Sequence, residues 1–242
     1  MRRLLAPVLF VVLLALGGCI WIDSYFLPPP EDTAQELYEA GVAAMNEKDY
    51  GDAQEYFSKL KDRFPFSPFS LKGELALGDA YFLDGEYVFA LDAYKEFEAL
   101  HPSNENIPYV LYQIANTDMS MFRTIDRRQE NVKEGLEYLY RLKETYPQSQ
   151  YAEAATDMIA KGRRILAEHE IFVADFFWRT EQYGPAWHRY QYVVENFSDI
   201  PDLREYSIKR AEYSYFEYQK TLSEEERLRV QGSWTRWLKQ WL

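Results

Sequence analysis

The 242-residue chain has one cysteine, Cys19, and three histidines, His101, His169 and His188. A single thiol excludes an internal disulfide framework and any zinc site built from several cysteines. The histidines have no cysteine or carboxylate at ligand spacing, so they read as surface or seam residues, and no metal is expected. Positive charge is also scarce. Lys and Arg number 27 against 39 Asp and Glu, a net charge of −12, and no basic face offsets it, which argues against a nucleic-acid partner. Nucleophile elbows, phosphate loops and paired-cysteine motifs are missing. Carboxylates abound, but at helical spacing they form solvated faces. The chain is therefore not expected to be an enzyme, to hold catalytic residues or to need a cofactor. No stretch alternates like a strand, which leaves an all-α fold.

What is present is a repeating frame: Tyr or Val, a small residue three later, an apolar residue at +7, and a proline at +15. It occurs as Tyr50/Ala53/Phe57/Pro65, Tyr87/Ala90/Tyr94/Pro102 and Val132/Gly135/Leu139/Pro147, then as Tyr183/Ala186/Tyr190, where Ser198 replaces the proline. A second small residue, Gly41, Gly78 or Ala174, lies twelve positions before the first in three units. This is the grammar of tetratricopeptide helix pairs: small residues let antiparallel helices approach, large ones fill beside them, and proline ends the second helix. It predicts a tetratricopeptide-repeat superhelix of about five helix pairs. Most of the 20 Tyr and 15 Phe would fill its continuous seam.

The only long apolar run, Leu4–Leu16, follows Arg2-Arg3 and is interrupted by Pro7. As a helix it would cover about 20 Å against a hydrocarbon core of about 30 Å, so it reads as a signal peptide and not as a span. It ends at Leu16-Gly17-Gly18-Cys19, which resembles the bacterial lipobox, where the chain is cut before a cysteine that is then acylated. Ile20 follows, not the aspartate that retains enteric lipoproteins at the inner membrane, so the resemblance points to the periplasmic face of the outer membrane. Residues 1–18 are thus expected to be a lipoprotein signal peptide. Residues 19–33 would be a tether with a polyproline spacer at Pro28-Pro29-Pro30. Trp21, Tyr25 and Phe26 either rest at headgroup level or pack on the first repeat.

Thr33-Ala-Gln-Glu36 is a capping box that opens a helix to about Lys48, and Gly51 is expected to turn the chain into the next helix. Ser67-Pro68 is expected to start the second pair, with its inner turn at Asp84-Gly85. Ala115 precedes Gly135 by twenty residues, so residues 123–131 form a longer polar loop or a helix extension. Ala152–Thr180 reads as one long helix. A final pair is expected over about 202–220 and 223–242, the latter opened by Ser223-Glu-Glu-Glu226.

Several stretches are more specific than the frame. Arg63-Phe-Pro-Phe-Ser-Pro-Phe-Ser70, Ile107-Pro-Tyr-Val-Leu-Tyr112, Asp126-Arg127, Tyr146-Pro-Gln-Ser-Gln-Tyr151 and Leu166–Phe177, in that order, resemble the BamD family. These are tetratricopeptide lipoproteins of the outer-membrane β-barrel assembly machinery, and the resemblance covers about residues 33–220. It implies a non-enzymatic scaffold. An amino-terminal half, 34–148, would receive strands of unfolded outer-membrane proteins. A carboxy-terminal half, 149–242, would dock on the barrel-forming insertase beside other assembly lipoproteins. A repeat lipoprotein that escorts a secretin or pilus subunit, pilotin-like, would share the lipobox but not the Pro65–Ser70 segment.

In such a superhelix the first helices line the concave side. That places Tyr38, Val42 and Met45, then Leu75, Asp79 and Phe82, then Tyr109, Tyr112, Asn116 and Met119 on a face that either binds an extended peptide or is covered by neighbouring repeats and the Pro68 segment. At the tail, Trp234, Trp237, Leu238 and Trp241 form one helical stripe, which either caps the last repeat or docks a partner.

Overall fold

The structure, a computed structural model, describes the backbone of residues 33–239 and side chains to residue 223. All regular structure among the described residues is α-helical. The helices are α1 (Ala34–Glu47), α2 (Tyr50–Arg63), α3 (Ser70–Asp84), α4 (Tyr87–Leu100), α5 (Ile107–Ser120), α6 (Glu130–Thr145), α7 (Gln150–Arg179), α8 (Tyr183–Asn196) and α9 (Pro201–Lys239). These are tetratricopeptide-type helix pairs. Packing divides the chain into two compact units, Met1–Ala80 and Tyr81–Leu242, and the division falls within α3.

In the first unit α1 and α2 form an antiparallel hairpin. Thr33 caps α1: its hydroxyl accepts the Glu36 N–H at 3.2 Å, while the Glu36 carboxylate accepts the Thr33 N–H at 3.1 Å. Gly41 faces the fully buried Phe57 ring, and a Cβ there would lie 2.5 Å from it. Only glycine lets the ring lie flat on α1.

In the second unit each helix packs on its sequence neighbours from α4 to α9, and α7 also touches α5. Gly135 has the same role as Gly41. A Cβ there would lie 3.1 Å from Asp118 Cβ and 3.2 Å from the Ala115 carbonyl oxygen. Because one of those neighbours is backbone, Gly135→Ala is expected to cost about 1–3 kcal/mol, read as a lower thermal unfolding midpoint. The carboxy-terminal core has two clusters on α7, Ala167 with Val193, Phe197 and Ile200, and Ala174 with Ala186, Tyr190 and Ala211.

The repeat frame maps onto the helices. Ala53, Ala90, Gly135 and Ala186 are buried, as are Phe57, Tyr94, Leu139 and Tyr190 four residues on. The second helices α2, α4, α6 and α8 stop alike, at Phe64, His101, Tyr146 and Phe197, each cap N–H reaching the carbonyl four residues back. α8 does so without the proline, so this stop comes from the cap geometry and the proline only reinforces it. Residues 121–129 are a loop, not a helix extension, and α7 is the single long helix expected, about 45 Å at 1.5 Å per residue.

Three boundaries differ from the sequence reading. Gly51 lies inside the first turn of α2. The turn belongs instead to Lys48, left-handed at φ 62°, whose N–H reaches the carbonyls of Ala44 and Met45. The helix expected from Pro68 starts at Ser70, because the Ser67 hydroxyl accepts the Phe69 N–H at 3.2 Å and holds a turn there. Finally, the break expected near Ser223 is absent and α9 runs unbroken from Pro201 to Lys239. The Ser223 hydroxyl donates back to the Lys220 carbonyl at 2.8 Å instead of capping a new helix, and no glycine or proline lies between Pro201 and Gly232.

Candidate functional site

All ten side chains placed on the concave face are half-buried. In the first unit the Tyr38 ring lies 6.1 Å from Phe57 and 5.7 Å from Phe69, so the Pro68 segment covers one side of it. Val42, Met45, Leu75 and Asp79 keep part of their surface in solvent.

In the second unit Phe82 lies 5.6 Å from Tyr87 across the α3–α4 turn. On α5, Tyr109 and Tyr112 flank Tyr151 of α7 at 5.4 and 5.8 Å. Gln113, next to Tyr112, donates to the Tyr109 hydroxyl at 3.0 Å and the Tyr94 hydroxyl at 3.4 Å, and Asn116 donates to Gln113 Oε1 at 3.3 Å. Met119 reaches across to Gly162, where an added Cβ would lie 2.4 Å from its terminal carbon. The α5 row is thus tied into the fold along one edge and open along the other. Its aromatic rings are held rather than free, which lowers the conformational entropy lost when they meet a ligand.

Beneath this row sits a charge the sequence did not single out. Asp118 is 1% exposed and its Oδ2 has no hydrogen-bond partner. Burial, and then the neighbouring Glu134 carboxylate, push its pKa up to about 7, with the Lys95 ammonium opposing. Lys95 and Glu134 pair at 2.7 Å, and Arg141 and Glu98 at 2.5 Å, linking α4 to α6 on either side of Tyr138.

Aromatic cavities form another feature that spacing did not reveal. One of about 340 Å³ lies between α8 and α9, walled by Trp187, Val194, Ile208, Ala211 and Tyr215. Another, of about 390 Å³, lies at the α3–α4 turn, where Val88 and Phe89 are exposed and Arg123 stands at the rim. Trp187 was legible only as a residue beside the small Ala186. Its ring becomes a wall because α9 brings Tyr215 to 5.0 Å. Behind it Asp175 accepts from the hydroxyls of Tyr190 and Tyr206, and Arg210 donates to the Tyr190 hydroxyl at 3.2 Å. Burial and the bond to Asp175 raise the Tyr190 pKa. Arg163 donates to Asp199, joining α7 to the α8–α9 turn, and this bond holds the Asp199 carboxyl below its ordinary range.

Of the histidines, His169 Nδ1 lies 2.6 Å from the Ile125 carbonyl and pins the long loop to α7. His101 and His188 lie against the rings of Phe97 and Trp187. No cluster of metal-binding side chains occurs among the described residues. Cys19 and Trp241 lie outside the described residues, and Trp234 and Trp237 lie on α9 where only the backbone is described.

The family model described as YfiO, outer membrane lipoprotein, matches residues 30–228. The outer membrane protein assembly factor BamD of Vibrio cholerae is 29% identical over 185 residues, 72% of this chain and 77% of that protein. BamD of Neisseria meningitidis serogroup A is 26% identical over 205 residues, covering 79% and 77%. BamD of Rickettsia prowazekii is 26% identical over 194 residues, covering 80% and 76%. Among solved structures, a tetratricopeptide repeat protein from Parabacteroides merdae is similar with a TM-score of 0.41 and 16% identity, over 81% of this chain and 79% of that one. The family match takes in every helix up to the middle of α9, and the chain is therefore a member of the YfiO/BamD family of outer membrane lipoproteins.

Proposed function

We propose that the chain is a lipid-anchored, periplasmic scaffold subunit that helps assemble and insert outer-membrane β-barrel proteins. The observation that carries this reading is the family match over residues 30–228, joined to relatives named as outer-membrane protein assembly factors and to the lipobox at Cys19. The half-buried aromatic and methionine rows of α1, α3 and α5 would take extended, aromatic-ended segments of unfolded barrel proteins, since they present adaptable apolar area with few formal charges. The carboxy-terminal half, 149–242, with Trp234, Trp237 and Trp241, would dock on a barrel-forming insertase and neighbouring lipoproteins. The scaffold works by binding and positioning, without chemistry.

Two experiments test this. Triple acylation at Cys19 would hold the chain permanently, because each buried methylene contributes about 0.8 kcal/mol. Cys19→Ala is therefore expected to lose its acyl mass and leave the outer-membrane fraction, while the parent chain, extracted in detergent, co-purifies with a barrel-forming protein. A variant that stays with the outer membrane would sink the anchor, and a parent that brings down no barrel-forming protein would sink the assembly role. For the peptide face, Phe82→Ser with Tyr112→Ser is expected to weaken binding of a barrel-protein terminal peptide about tenfold or more, from losing two aromatic contacts. Unchanged affinity would remove α3 and α5 from the proposal.

A further inference from the structure

Phe66 is 100% exposed, the most exposed large apolar side chain among the described residues. Looseness does not explain this. The turn that carries it is closed by Ser67 N–H to the Phe64 carbonyl and Ser70 N–H to the Ser67 carbonyl, both at 3.0 Å, and by Phe69 N–H to the Ser67 hydroxyl at 3.2 Å. Pro65 and Pro68 fix the backbone on either side. The neighbouring aromatics are used: Phe64 lies under the Arg63 guanidinium at 5.5 Å, and Phe69 lies against Tyr38. The fold thus gives two of the phenylalanines a partner and leaves the third outward, on a stiff tip.

We propose that this tip is a membrane-contact element: Phe66 enters the headgroup region of a phospholipid surface, and Arg63 and Lys72 meet anionic headgroups beside it. Charge favours a lipid surface. In a chain of net charge −12, residues 63–72 contain Arg63 and Lys72 and no carboxylate, with Leu71 exposed between the tip and Lys72. An aromatic point flanked by cations is the chemistry of interfacial binding, whereas the rest of this acidic surface would be repelled by anionic lipid.

Position favours it as well. Because α1 and α2 are antiparallel, the end of α2 returns towards the start of α1, as the Phe69–Tyr38 contact records, so the tip lies at the same end of the hairpin as Thr33. Cys19 and Thr33 are fourteen residues apart, at most about 50 Å of extended chain, so an acylated Cys19 keeps the tip within reach of the bilayer. This proposal rests on the acylation reading above.

The test uses the mature acylated chain carrying Phe66→Cys. Acylation blocks the Cys19 thiol, so an environment-sensitive nitrobenzoxadiazole label attaches at position 66 alone. The chain is reconstituted into vesicles of phosphatidylethanolamine and phosphatidylglycerol. Asn46→Cys, exposed at the opposite end of α1, is the control. The expected result is a blue-shifted emission at 66 but not at 46, quenched by lipids with a nitroxide near the headgroup and weakened when phosphatidylglycerol is omitted. A label at 66 that matches the control, in a chain that floats with the vesicles, overturns the proposal and leaves the anchor standing. A blue shift without lipid quenching also overturns it, by assigning the tip to a protein contact. A chain that neither floats nor carries acyl mass fails the anchor itself and takes the proposal with it.

Discussion

Phe57→Ala is expected to destabilise the first unit by about 3–5 kcal/mol, towards the upper end of that range for a buried aromatic. The ring is fully buried, and its wall on α1 is Gly41, which has no side chain to move into the vacated space. The remaining walls, Tyr38 and the Gly73 region of α3, are held by their own contacts. The cavity therefore stays open. For a chain of this size, at about 2–4 °C per kcal/mol, the loss corresponds to a fall of roughly 10 °C in the unfolding midpoint. A cycle separates this from a general loss of hydrophobicity. Gly41→Ala alone forces a methyl to 2.5 Å from the ring and is expected to cost about 1–3 kcal/mol. In the Phe57→Ala background the same methyl occupies part of the void, so the double variant is expected to be more stable than additivity allows by about 1 kcal/mol or more. Urea unfolding of the four proteins, with hydrogen exchange on α1 and α2, reads this coupling. Additive costs would show that the ring and the glycine are not partners.

Asp118→Asn is expected to stabilise the chain above neutral pH, the reverse of most substitutions in a core. The folded Asp118 pKa of about 7 stands above its ordinary 3.8 because burial and then Glu134 oppose ionisation. Between those values the folded chain keeps a proton that the unfolded chain has released. The stability due to this group is therefore fully present below pH 3.8 and is lost as the pH rises through about 7. The loss is at most about 4 kcal/mol, at 1.36 kcal/mol per pKa unit. Asparagine cannot ionise, so the variant is expected to gain on the order of 2–4 kcal/mol over the parent at pH 8 and little at pH 4. Denaturant unfolding across that range measures the difference. Glu134→Gln supplies the control: removing the second cause is expected to move the parent's pH transition downward while leaving it visible. A difference between Asp118→Asn and parent that does not change with pH would show that the carboxyl is not titrating in the fold.

The helix pairs were readable because their cause is local and periodic. Ala53, Ala90, Gly135 and Ala186 are small where two helices touch, Phe57, Tyr94, Leu139 and Tyr190 are large one turn on, and spacing alone exposes both. The capping box at Thr33 and the long α7 were readable for the same reason, since caps and uninterrupted helical periods are short-range properties. Boundaries failed where two local signals competed. Ser223 with a glutamate three residues on is a valid cap in isolation, but a serine inside a helix can equally donate backwards to a carbonyl, and here it does.

The candidate site was legible in part. The ten residues expected on the concave face follow from repeat register, and each of them is half-buried. That Tyr151 stands between Tyr109 and Tyr112, and that Met119 rests over Gly162, depends on where α7 crosses α5, which no spacing within α5 encodes. By itself, then, the sequence determined the helical pairs, their order, the acidic balance and the family. Tertiary structure alone decided which side chains lost their water: Asp118 beneath an ion pair, Trp187 walling a cavity, Phe66 left bare at a stiff turn. Desolvation is set by neighbours distant in the chain, and a residue's own letter is the same whether those neighbours arrive or not.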